Sequence, residues 1–190
     1  MNRIPILFAG AAVILFICGC LGSSGEEEGM SAFKHHPTVR TRVEQTGKEL
    51  SLVVVTAVEP GSDGRAVKWK FAYNDVTSGF PLGSVAFTVS GDGSIEEETG
   101  EPLSKAPVRN WSVDSTSAVS TARQELTNRD YIEKGKDIHL TFLYLLGDKS
   151  DNGGCEWNIG IMPYYDDPTE LLARIDGRSG DLIELKKILG

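Results

Sequence analysis

From Ser51 onward the apolar side chains fall on every second residue, in short runs cut by Gly and Pro. That pattern restricts the chain to antiparallel strands. "SLVVVTAV" is a β-branched run ended by "EPGSDG", and "RAVKWKFAY" sets Val67, Trp69, Phe71 and Tyr73 on one face with Lys68 and Lys70 on the other. After the loop "NDVTSGFPLG" comes "SVAFTVS", with Val85, Phe87 and Val89 on one face, and then "GDG" turns into "SIEEE". The second half follows the same order. "IHLTFLYLL" predicts a strand with Ile138, Leu140, Phe142 and Tyr144 on one face, and "CEWNIGIM" one with Trp157, Ile159 and Ile161 together. "ELLARI", the turn "DGRSG" and "DLIELKKI" close the set.

Trp69 to Trp157, Pro81 to Pro168 and Asp92 to Asp176 are 88, 87 and 84 residues apart, an offset that fits a duplication with small loop insertions. A helix is expected before each set. Asp114 or Ser115 can cap "STSAVSTARQEL", where Ala118, Val119, Ala122 and Leu126 make a narrow apolar stripe. The earlier candidate, "PTVRTRVEQTGKEL", starts near Pro37 and is weakened by Gly47. A unit of this size buries only about 60% of its unfolded surface, so the two are expected to pack together.

The N-terminus sets the address. Arg3 precedes an apolar, uncharged run over residues 4–21, which reads as an export signal and is also about the shortest length that spans a bilayer. Ile17-Cys18-Gly19-Cys20 resembles the lipobox of prokaryotic lipoproteins, although Cys18 stands where Ala or Ser is commoner. The resemblance implies lipidation of Cys20 and removal of residues 1–19 as a lipoprotein signal peptide; the alternative is a retained membrane anchor. Residues 20–32, with Glu26 to Glu28, then form a solvated tether. With Arg3 removed, 18 basic residues face 27 acidic ones, a net charge of −9, which excludes nucleic acid as a partner. Cys155 is the one cysteine left beside Cys20, so the exported domain depends on its core for stability.

"VRNWSVDSTSAVSTARQEL" and "CEWNIGIM" followed by "ARIDGRSGDLIEL" resemble a PepSY domain. The matching positions are Trp111, Asp114, Ser115, Ala118, Ala122, Trp157, Ile175, Asp176, Gly180 and Leu182, over residues 111–188; in the first half only Trp69 and "SGDGSIEEE" match. The resemblance implies a helix laid on an antiparallel sheet, in a family found in protease propeptides and exported proteins, with binding or inhibition in place of catalysis.

The remaining chemistry is sparse. "DKSDNGGCEWNI" begins like a calcium loop with Asp148, Ser150, Asn152 and Gly153, but Ile159 stands where the bidentate carboxylate belongs. "DGRSG" reads as a tight turn. His35, His36 and His139 lack the spacing of a zinc site, and no nucleophile motif is present, so no catalytic residue, metal ligand or cofactor is assigned. Tyr164, Tyr165, Asp166 and Asp167, with Phe80 from another loop, are the candidate contact patch. Asn110 heads a glycosylation sequon, Asn110-Trp111-Ser112.

The expected fold is therefore α+β: two tandem PepSY-like units, residues 33–104 and 105–190, each a helix packed on a four-stranded antiparallel sheet. The expected function is a membrane-anchored, extracytoplasmic, non-catalytic binding module that either modulates a protease or binds an envelope protein or peptide. The alternative is an envelope sensor or structural lipoprotein that holds a small ligand between the two units.

Overall fold

The computed structural model describes residues 29–148, 153–163 and 169–189. In chain order the elements are α1 (Ala32–Gln45), β1 (Leu50–Pro60), β2 (Ala66–Asp75), β3 (Gly83–Ser90), β4 (Ile95–Gly100), α2 (Ser115–Asn128), β5 (His139–Gly147), β6 (Cys155–Met162), β7 (Glu170–Asp176) and β8 (Leu182–Leu189). Each strand lies where the alternation puts it.

The expected assembly of two tandem four-stranded units is wrong. All eight strands form a single antiparallel sheet in the order β4-β3-β2-β1-β5-β6-β7-β8, and the described chain is mostly β with two helices. The join is the β1–β5 pairing of Val54 with Leu146, Val55 with Leu145 and Thr56 with Tyr144. A free inner edge on each meander would expose a row of backbone donors and acceptors; pairing the two edges satisfies both.

Both helices lie on one face. α1 packs over β1, β2 and β3, and α2 over β6, β7 and β8. Between them and the sheet lies one core, with Trp69, Phe71, Phe87 and Val55 from the first half and Leu143, Leu145, Trp157 and Ile159 from the second, all fully buried. Large aromatic groups carry much of the apolar area such a core removes from water. Trp69 meets Trp157 edge-on at 6.1 Å, and Trp157 meets Trp111 at 6.0 Å, so indoles from both halves fill the centre.

α1 starts at Ala32, five residues before Pro37, and ends at Gln45, with Gly47 just beyond at φ +66°. Gly47 thus supplies the left-handed residue that closes the helix. The chain also joins the sheet before the expected end of the tether. Met30 N–H donates to Ala66 O at 3.0 Å, and Ala66 N–H donates back to Met30 O at 3.1 Å.

The two helix starts meet. Asp114 caps α2 by accepting Ser115 N–H at 2.8 Å, and the same Oδ1 accepts Phe33 N–H of α1 at 3.1 Å. Ser115 Oγ accepts Ala32 N–H at 3.2 Å, while Ser31 makes no side-chain cap of its own. One Asp-Ser pair therefore satisfies orphan donors of both helices, and a carboxylate sits at two positive dipole ends. The indoles hold the same region: Trp69 Nε1–H donates to Met30 O at 2.7 Å, and Trp111 and Trp157 both donate to Val113 O at 2.8 Å.

Candidate functional site

The face of the sheet opposite the helices carries the most distinctive chemistry. Its composition follows from an irregularity in β5. The β5–β6 register shifts between Leu140 and Phe142, so the side chains on either side of the shift do not keep the expected alternation. Leu140, Leu143 and Leu145 point into the core, and Phe142 and Tyr144 stand on the open face. The expected grouping of Ile138, Leu140, Phe142 and Tyr144 on one face is thereby corrected.

Phe142 and Tyr144 stack with centroids 5.4 Å apart. Phe142 lies on Gly160, its cross-strand partner; a Cβ there would come within 2.4 Å of the ring. Glycine makes room for the aromatic group and is covered by it. Across the open face Lys70, Thr56, Tyr144, Asn158, Arg174 and Glu184 form one register row over β2, β1, β5, β6, β7 and β8. Beside it run Ala72, Val54, Leu146 and Glu156.

Arg174 organises the right-hand part of this surface. Its Nε donates to Glu156 Oε1 at 3.2 Å, its Nη2 to Glu156 Oε2, and its Nη1 to Glu184 Oε2 at 3.1 Å. These contacts, with Glu156 first, raise the guanidinium pKa further above its ordinary value. The bidentate fork holds the planar group in place. Burial, and then the Glu156 charge, raise the pKa of the Tyr144 hydroxyl against the opposing effect of Arg174, so it stays a neutral donor. The result is an aromatic pair beside a fixed ion-pair network, with residue types that dominate protein interfaces.

Other groups are chemically quiet. Cys155 is buried, and desolvation, then Asp176, push its thiol up to about 12, so it is not a nucleophile at neutral pH. In "DGRSG", Asp176 Oδ1 accepts the N–H groups of Arg178 and Ser179, both at 2.8 Å, and Gly180 has φ +83°; this is a turn whose carboxylate serves its own backbone. Among the described residues no three His, Cys, Asp or Glu side chains converge as metal ligands.

Cys20, Tyr164, Tyr165, Asp166 and Asp167 lie outside the described residues, as do Ser150 and Asn152 of the calcium-like loop. Phe80 is 75% exposed and Leu82 70% exposed in the β2–β3 loop. That loop lies at one end of the sheet, whereas β6 ends and β7 begins at the other, as the antiparallel pairing requires. Asn110 is exposed at φ +55°, and Ser112 Oγ of its sequon donates to Arg178 O. The centre between the two halves is filled by indoles; one depression, about 660 Å³, is open and lined by Met30, Ser31, Lys34, Arg65, Asp92 and Thr116.

The sequence reading missed the open face because its members are scattered over six strands. The available signal was the alternation of Glu156, Arg174, Glu184 and Lys186 against apolar neighbours, which needs the register before it becomes a surface.

No protein-family model and no curated protein matches this chain. The PepSY resemblance accordingly rests on its motif residues alone. Among solved structures, the crystal structure of a candidate lipoprotein from Clostridium difficile 630 is similar, at a TM-score of 0.52 and 12% identity, over 80% of this chain and 92% of that one. The likeness is one of fold.

Proposed function

We propose that this chain is an exported lipoprotein, held at the outer side of the cytoplasmic membrane through Cys20, whose sheet domain is a non-catalytic module that binds a protein or peptide. The leader with its lipobox-like end supports the anchor, and the similar fold of a candidate lipoprotein accords with it. The observation that carries the binding reading is the open face: the stacked Phe142 and Tyr144 beside the Arg174 network, on a sheet whose other face is committed to the core. Modulation of a protease is the finer form of this reading, supported by the PepSY-like motif residues.

The test compares wild-type protein with Tyr144→Glu in saturable capture of envelope proteins. Loss of an interface aromatic of this kind weakens binding by about 30-fold, whereas Leu82→Ser in the distant loop leaves it unchanged. Equal capture by all three proteins, with melting curves unaltered, rejects the open face as the binding surface. For the anchor, mass spectrometry of the membrane-extracted N-terminus shows a lipidated Cys20, and Cys20→Ala abolishes the modification.

A further inference from the structure

We propose that the two outer edges of the sheet pair with each other between copies of this chain, β8 of one molecule against β4 of the next. This goes beyond the binding reading above, since it concerns the edges and not the open face, and it stands whether or not Cys20 carries lipid.

Both strands end the sheet, so each presents one side of its backbone with no strand against it among the described residues. Such an edge is a template for another strand unless its side chains prevent it. β4 carries Glu96, Glu97 and Glu98 in succession; β8 carries Lys186 and Lys187. Two β4 edges with Glu97 facing its own copy oppose carboxylates; two β8 edges oppose ammonium groups when Lys186 faces its own copy, and when Lys186 is set opposite Glu184 they leave Lys187 opposite Ile183 with no partner charge. β4 against β8 opposes unlike charges, which favours cross-strand pairs. Direction also fits. Every neighbouring pair is antiparallel, so β4 and β8 run oppositely, and a second copy in the same orientation continues the antiparallel sheet with its helices on the same face.

One register satisfies both faces. Lys186 pairs with Leu172 and Glu98 with Ala86, which places both on the open face; Lys187 pairs with Leu171 and Glu97 with Phe87, which places both on the helix face. Setting Lys186 opposite Glu98 therefore sets Lys187 opposite Glu97 and Glu184 opposite Gly100, where no like charge waits. A slip of two residues one way brings Glu184 against Glu98. The same slip the other way removes both ion pairs, and a slip of one residue puts the partners on opposite faces. Within the molecule Arg42 engages Glu97 at 3.2 Å and Lys70 engages Glu98 at 2.6 Å, each through Oε2, in exposed pairs that leave the carboxylates accessible. Because the two edges differ, pairing is heterologous and builds rows of molecules, not a closed dimer.

The test is carbodiimide crosslinking of the full chain in its native membrane, which joins Lys to Glu at direct contact. The expected result is a ladder of dimer, trimer and higher species whose linked peptides join Lys186 or Lys187 to Glu97 or Glu98. Lys186→Glu with Lys187→Glu abolishes the ladder; adding Glu97→Lys and Glu98→Lys to that variant restores it, and unaltered circular dichroism melting shows that each variant is folded. Absence of a ladder in the wild type, a lone dimer band, a ladder that survives the charge reversal, or links from β8 to a different protein each overturns the proposal.

Discussion

Asp114 is the side chain on which two helix starts depend, since its carboxylate accepts Ser115 N–H of α2 and Phe33 N–H of α1. Asp114→Ala is expected to lower stability by about 1–2 kcal/mol, the upper range for a cap, and Asp114→Asn by much less, because an amide oxygen can still accept. Urea unfolding measures both, and equal losses in the two variants contradict the capping role. A second residue contributes to the acid limb of stability. His35 is 3% exposed, and its Nε2 has no hydrogen-bond partner among the described residues. Burial first, then the Lys34 charge, hold its pKa below the ordinary 6.5. The unfolded chain therefore takes up a proton near pH 6.5 while the folded one resists, so stability is level above that pH and declines below it, by at most about 1.4 kcal/mol per pH unit for this group. His36, stacked with Phe71, is shifted the same way by burial and then Arg40, and adds to the slope. His35→Leu is expected to flatten the decline between pH 6.5 and 5 while leaving stability at pH 7.5 nearly unchanged. An identical slope in the variant removes His35 from the account. The cap at Asp114 was legible in the sequence as the start of α2; its second duty to α1 was not, because 81 residues separate donor from acceptor.

At the scale of elements, the connection from β4 to α2 is pinned across the strand ends. Asn74 exchanges hydrogen bonds with the Leu103 backbone, Val108 N–H donates to Leu52 O at 2.7 Å, and Ala106 bridges to Gly147. Gly147 is the tight point: a Cβ there would lie 2.2 Å from Ala106 O and 2.4 Å from Pro107 O. Gly147→Ala is thus expected to cost roughly 1–3 kcal/mol by forcing the connection off the sheet. Gly91→Ala, whose nearest contact would be 3.8 Å, is expected to be close to neutral. Thermal unfolding of the two variants checks the contrast. β5 shows why a strand can be located and still be turned the wrong way. "IHLTFLYLL" is apolar at nearly every position, so its alternation does not determine which set faces inward. The register shift between Leu140 and Phe142 does, by letting Leu143 and Leu145 pack beside Trp157 and Ile159.

Over the whole molecule, the join of β1 to β5 and the contact between Trp69 and Trp157 make the two halves interdependent. Residues 29–104 or 105–190 expressed alone are expected to lack a cooperative unfolding transition, whereas the intact chain unfolds once, with near-UV and far-UV circular dichroism changing together. A half that melts cooperatively by itself shows that the shared core is dispensable. The order of helix and strands was readable from residues alone, as were the buried indoles and the turn at Asp176, since periodicity, caps and turn residues act over a few positions of chain. Where the meanders ended was readable too, but not that their inner edges would meet. Pairing of β1 with β5 is a choice among all free edges in the folded chain, and it depends on how the helices clear the centre and how the three indoles pack there. Local patterning thus determined the strands, whereas long-range satisfaction of backbone hydrogen bonds made them one sheet and left a single open face.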